Sequence, residues 1–151
     1  MNVMSDPNAS RKGWLSLLAG SPAADVARRW AALDMAPAYT TLRNPEIGGV
    51  MVRGRAGAIG APFNLGEMTV TRASIKLADG TVGHGYVQGR SKDHALQAAL
   101  VDALMQTEAA DAVENILLTP LRDAITARKT ERAAKAAATK VDFFTMVRGE
   151  D

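Results

Sequence analysis

Between Glu67 and Gln88 the chain alternates apolar and polar positions on either side of an Asp79-Gly80 dipeptide, and this is its clearest β signal. The runs Glu67–Ala78 and Thr81–Gln88 read as two strands of a hairpin, because both residues of a tight hairpin turn need positive φ and Asp-Gly adopts it readily. A two-residue Asp79-Gly80 loop predicts Leu77 opposite Val82, Ile75 opposite His84 and Ala73 opposite Tyr86 on a core face. It predicts Lys76 opposite Gly83, Ser74 opposite Gly85 and Arg72 opposite Val87 on the other. Glycine inside a strand weakens it unless a ligand or another backbone must come close. The second face is therefore expected to be open to an anion.

Helical periods flank this hairpin. Ser10 can cap a short helix carrying Trp14, Leu17 and Leu18 that ends at Gly20. Ser21-Pro22 then opens a second helix with Val26, Trp30 and Leu33 on one face, closed by Pro37. Tyr39–Arg43 and Gly49–Arg55 read as further strands separated by Asn44-Pro45 and Gly48-Gly49, and Gly57–Pro62 as a flexible connection. Ser91 or Asp93 caps a helix reaching about Gln106, with Leu96, Ala99, Leu100, Ala103 and Leu104 as its apolar stripe. Val113–Leu118 fits a helix end or a short strand, and Thr119-Pro120 starts a long alanine-rich final helix. The fold class is α+β: an antiparallel sheet of about four strands with helices packed on it, a long C-terminal helix and an extended apolar end. Residues 1–9 read as a flexible N-terminus and 10–151 as one domain.

That end changes the picture most. Val141-Asp142-Phe143-Phe144-Thr145-Met146-Val147-Arg148-Gly149 holds two of the three phenylalanines and stops two residues before the terminus. Chain ends usually fray and become polar unless something holds them, so the strip implies docking on the chain's own sheet or on another subunit.

Composition narrows the chemistry. A chain of 151 residues can bury roughly 70% of its unfolded surface, and a net charge of +2 is too small to argue for nucleic acid. The absence of cysteine excludes disulfides, thiol nucleophiles and iron–sulfur ligation by this chain. No run is apolar enough to span a bilayer, and the expectation is a soluble, cytoplasmic protein.

The segment Gly89-Arg90-Ser91-Lys92-Asp93-His94 opens the best-defined helix, where exposed N–H groups and the dipole favour anions. Arg72, Arg90, Lys92 and His94 are the anion- or nucleotide-binding candidates. A surface-charged helix cap, with Arg90 paired to an acid, explains the same residues. Gly54-Arg55-Ala56-Gly57-Ala58-Ile59-Gly60 lacks the Lys-Ser/Thr ending of a phosphate loop. His84, on the expected core face, reads as a hydrogen-bonded core histidine. No acid–base pair or metal-ligand spacing appears, so no catalytic residue and no metal site are assigned. Asp102 reads as locally paired with an Arg or Lys.

The blocks Gly89-Arg90-Ser91-Lys92-Asp93-His94-Ala95, Ala98-Ala99-Leu100-Val101-Asp102-Ala103-Leu104-Met105-Gln106 and Val141–Gly149, with Thr71-Arg72-Ala73 upstream, resemble the PhnG family. The resemblance runs from about Trp14 to Gly149. Ser91 and Leu96 stand where the familiar form has acidic residues. PhnG-like proteins are small subunits of the carbon–phosphorus lyase core complex. The resemblance implies partners PhnI, PhnH and PhnJ and a PhnL-like ATPase in the same pathway. It also implies a supporting role in displacing adenine from MgATP by a phosphonate. No cofactor is expected on this chain itself; S-adenosylmethionine and an iron–sulfur cluster are expected in another subunit. Phe143, Phe144, Met146 and Arg148 are then the partner-interface candidates. The rival readings are a stand-alone nucleotide- or anion-binding α+β module and a homo-oligomeric scaffold.

Overall fold

The structure, a computed structural model, describes residues 7–57 and 59–141. In chain order the elements are α1 (Pro7–Gly20), α2 (Ala23–Leu33), β1 (Tyr39–Arg55), β2 (Pro62–Leu77), β3 (Val82–Gln88), α3 (Lys92–Leu104), α4 (Ala110–Val113), a π-helical turn (Glu114–Leu118) and α5 (Thr119–Ala138). The class is α+β. The strands form one antiparallel sheet of order β1-β2-β3, three strands rather than about four. The difference lies in β1. Asn44-Pro45 does not break it but sits between Arg43↔Ser74 and Glu46↔Arg72, where the register shifts. Proline lacks an N–H to give the ladder, and β1 is an edge strand, where that loss is tolerated at a bulge.

The hairpin register corrects the expected one by one residue. Lys76 pairs with Val82, Ile75 with Gly83, Ser74 with His84, Ala73 with Gly85, Arg72 with Tyr86 and Thr71 with Val87. The turn has three residues, not two. Leu77 donates to Thr81 O at 2.8 Å, Gly80 donates back to Leu77 O at 3.0 Å, and Gly80 has φ +95. Asp79 Oδ1 accepts from the Thr81 N–H at 2.8 Å and steadies the loop. Because the side-chain period of a strand is two, the one-residue shift exchanges the two faces of β3.

Gly83 and Gly85 thus lie on the buried face, against α3. A Cβ on Gly83 would sit 2.0 Å from Ala99 O, and one on Gly85 2.0 Å from Ala95 O. The glycines let α3 lie directly on the strand; they do not open a face to an anion. His84 is exposed on the opposite face, with Nδ1 2.9 Å from Ser74 Oγ, and is not a core histidine.

Around α3 the core closes. Ala95, Ala98, Ala99, Leu100, Val101, Ala103 and Leu104 are buried, together with Ala73, Ile75, Leu77 and Val87 from the sheet and Leu18, Val26 and Leu33 from α1 and α2. Ser91 caps α3 as expected, accepting from the His94 N–H at 3.1 Å. Helix α1 starts at Pro7, ahead of the expected Ser10 cap, and the cap of α2 is Pro22, since Ser21 Oγ instead donates to Leu17 O at 2.6 Å.

The ambiguous Val113–Leu118 is helical throughout, and buries Val113, Leu117 and Leu118. Thr119 donates to Glu114 O, a five-residue step. Pro120 at the start of α5 has no N–H to donate, which suits the widened turn before it. Beyond Leu121 nothing in α5 is buried, and every residue from Thr126 to Ala138 is exposed.

β3 pairs with β2 only over Val70–Lys76, so the remainder of β1 and β2 runs on as a two-stranded ribbon. Met51, Phe63 and Leu65 are exposed on it.

Candidate functional site

The densest polar arrangement in the described residues is centred on Asp102, in the middle of α3 and fully buried. Its Oδ1 accepts from Arg11 Nε at 3.0 Å and Trp14 Nε1 at 2.9 Å. Its Oδ2 accepts from Arg11 Nη2 at 2.7 Å and from the His84 backbone N–H at 2.9 Å. Four donors from α1 and β3 saturate one carboxylate. Such a group has no free lone pair aimed at a reacting atom and no route for a proton, so its chemistry is cohesion between three elements. The Arg11 guanidinium is pushed above its usual range chiefly by the Asp102 hydrogen bond, with burial opposing. The sequence reading expected a local partner for Asp102; the partners are 91 and 88 residues away. The available signal was an aspartate inside a stripe buried on all sides, with Arg11 and Trp14 three apart on one helix.

His94, an anion candidate, is also buried. Its Nε2 lies 2.9 Å from Leu18 O. A carbonyl only accepts, so Nε2 carries the proton and the ring ties α3 to α1. Burial holds its pKa below the usual range, with the Leu18 carbonyl pulling the other way. His94 is a neutral structural donor, and its backbone N–H is taken by Ser91.

The remaining candidates are separated. Arg72 pairs with exposed Tyr86 on the sheet face away from α3, and its Nε donates to Glu46 Oε1 at 2.6 Å. Arg43 Nη1 donates to the same oxygen at 2.5 Å. These arginines, Arg43 first, hold the Glu46 carboxyl below its usual range. Arg72, Glu46, Val50, Val70 and Tyr86 line a shallow cleft of about 270 Å³. Arg90, Ser91 and His94 line a different one of about 400 Å³, with Gly20, Pro22 and Gln88. Lys92 borders neither of these clefts and is exposed on the first turn of α3. Arg72 and Arg90 therefore line different clefts. Phe143, Phe144, Met146 and Arg148 lie outside the described residues.

Among the described residues no group of three His, Asp or Glu side chains could hold a metal ion, and no helix is long and apolar enough to cross a membrane.

Comparison with known proteins gives two results. The family described as phosphonate metabolism protein PhnG matches residues 9–149. A curated relative from Rhizobium meliloti (strain 1021), named alpha-D-ribose 1-methylphosphonate 5-triphosphate synthase subunit PhnG, is 45% identical over 143 residues. The alignment covers 95% of this chain and 92% of the relative.

Proposed function

The chain belongs to the PhnG family of phosphonate metabolism proteins, and from that premise we propose that it is a non-catalytic subunit of a phosphonate ribose-triphosphate synthase. In this reading the assembly transfers the ribose 5-triphosphate moiety of MgATP to a phosphonate with release of adenine. The proposed partners are PhnI, PhnH and PhnJ, with a PhnL-like ATPase in the same pathway, in the cytoplasm. The proposed role of this chain is to buttress the PhnI-like subunit.

The observation that carries the supporting role is α5. Its exposed part, Thr126–Ala138, is about 20 Å long and leads away from the buried Leu121 toward the apolar strip at 141–147. Thr126–Ala138 is tied back by the Arg128–Asp25 ion pair but buries no side chain, and tertiary burial supplies most helical stability in proteins. Such a helix followed by Phe143-Phe144 suits insertion into another subunit.

Co-expression with PhnH-, PhnI- and PhnJ-like subunits tests this. Wild type is expected to co-purify stoichiometrically. Phe143→Asp and Phe144→Asp are expected to abolish co-purification while the chain stays folded, because a carboxylate in an apolar contact costs several kcal/mol. Assembly that survives both changes would falsify the interface. The purified chain alone is expected to release no adenine from MgATP plus a phosphonate, since the one fully buried carboxylate among its described residues, Asp102, already accepts four hydrogen bonds.

A further inference from the structure

Where α2 ends beside α3, Trp30, Tyr39, Asp93, Leu96, Gln97 and Leu100 line a cleft of about 330 Å³. Neither Asp102 nor any residue of α5 belongs to it, and no lysine or arginine lines it. Asp93 and Gln97 stand four apart on α3, on one face and about 6 Å from each other along the axis. Asp93 is exposed, and its carboxylate has no partner among the described residues. Gln97 Oε1 is the one buried side-chain polar atom without a hydrogen-bond partner among those residues. A buried acceptor of this kind costs free energy until a donor reaches it.

The backbone adds to the excess of acceptors. Helix α2 ends at Leu33 with no basic residue in its last turn, and its dipole is negative there. Its cap is Asp34, a carboxylate at a helix end that favours a cation. Asp93 in the first turn of α3 suits the dipole of its own helix. That position accounts neither for the orphaned Gln97 oxygen nor for a cleft with two aromatic side chains and no cation. Acceptors grouped on an aromatic, apolar lining select a flat cation that donates in several directions. A guanidinium is planar and always charged, carries five N–H donors and stacks on aromatic faces. An ammonium has neither the plane nor the fork.

We propose that this cleft takes an arginine side chain of another subunit, its guanidinium stacked on Trp30 and donating to Asp93 and Gln97. Gln97 as a whole is partly exposed, so a rotation of its side chain brings Oε1 to the donor. For the source of the arginine this rests on the subunit reading above. The chemistry of the cleft belongs to this chain alone and is read on it without partners.

The test is nuclear magnetic resonance titration of the full-length chain with Nα-acetylarginine amide, at about 0.15 M salt so that diffuse attraction is screened. The two tryptophans report separately, since Trp30 lines the cleft and the Trp14 indole N–H is bonded to Asp102. Saturable movement of the Trp30 indole signal, with that of Trp14 stationary, is expected. Nα-acetylcitrulline amide, neutral and of the same shape, is expected to bind about threefold more weakly or worse. The same loss is expected for the arginine probe on Asp93→Asn, within the range that an exposed charge pair supplies. An unmoved Trp14 signal in the variant establishes that the fold is intact. No saturable response at Trp30, or equal affinity for the two probes, overturns the proposal. The second arm is co-expression with the partner subunits, where Asp93→Lys is expected to lower their recovery severalfold against wild type. Probe binding combined with wild-type recovery by Asp93→Lys makes a small guanidine the occupant and overturns the assignment to a subunit. If wild type itself recovers no partner, the subunit reading fails, and the probe still decides the chemistry of the cleft.

Discussion

At the scale of single residues, the structure assigns its two buried polar side chains on α3 to cohesion. Asp102 accepts four hydrogen bonds from α1 and β3. Asp102→Ala leaves Arg11 without its anion and the Trp14 and His84 N–H groups without acceptors, at a cost of about 3–5 kcal/mol. Chemical denaturation should show that loss, and Asp102→Asn should show a smaller one because an amide oxygen still accepts. A change below about 1 kcal/mol in Asp102→Ala would mean the node does not hold the elements together. His94 makes a pH prediction. Its folded-state pKa is depressed from 6.5 by burial. Above that value the ring is neutral in both states and its contribution is intact. As pH falls below it the unfolded chain takes a proton that the folded chain resists, so stability declines on acidification. His94→Gln should flatten that decline between roughly pH 7 and pH 5 in a series of denaturation curves. The partners were not legible in the sequence, because Arg11 and Leu18 become neighbours of α3 only once the chain has closed on itself.

Elements show more clearly what sequence pattern decides and where it stops. The apolar stripe of α3 and its Ser91 cap follow from spacing and side-chain chemistry, and both are in the structure. The two strands around Asp79-Gly80 were equally plain. Their register was not. Leu77-Ala78-Asp79-Gly80-Thr81 supports a two-residue or a three-residue loop, and local chemistry barely separates them. The choice falls to packing: only one register puts Gly83 and Gly85 beneath the carbonyls of Ala99 and Ala95. That one-residue difference moved His84 to solvent and removed the anion face inferred from the glycines. Gly83→Ala and Gly85→Ala should each push α3 off β3, since the added carbon meets backbone at 2.0 Å in both cases. Overpacking of this kind costs about 1–3 kcal/mol or more. The control is Gly66→Ala, where a Cβ meets nothing within 4 Å; it should leave the melting temperature nearly unchanged. If all three variants melt alike, close helix–strand approach is not what the glycines provide.

For the whole molecule, the core is concentrated at one end of the chain's elements. Helix α3 is buried along most of its length, while α5 has no fully buried residue beyond Leu121 and is exposed from Thr126 on. Opening free energy follows such differences, with exposed segments near zero and core helices near the global value. The composition of Thr126–Ala138 favours helix strongly, yet an isolated helix of this length is marginal in water. Amide hydrogen exchange on the chain alone should therefore find α3 protected to the global limit and the amides beyond Arg132 exchanging with little protection. Adding a PhnI-like partner should raise protection across Ala133–Ala138 while leaving α3 unchanged, because docking stabilises what the chain's own core does not touch. This outcome separates a subunit from a self-contained module. If α5 is already protected in the free chain at micromolar concentration and the protection falls on dilution, a second copy covers it and the scaffold reading gains. If protection is present and independent of concentration, the helix is held by its own chain, and the argument that its exposed face awaits another subunit fails.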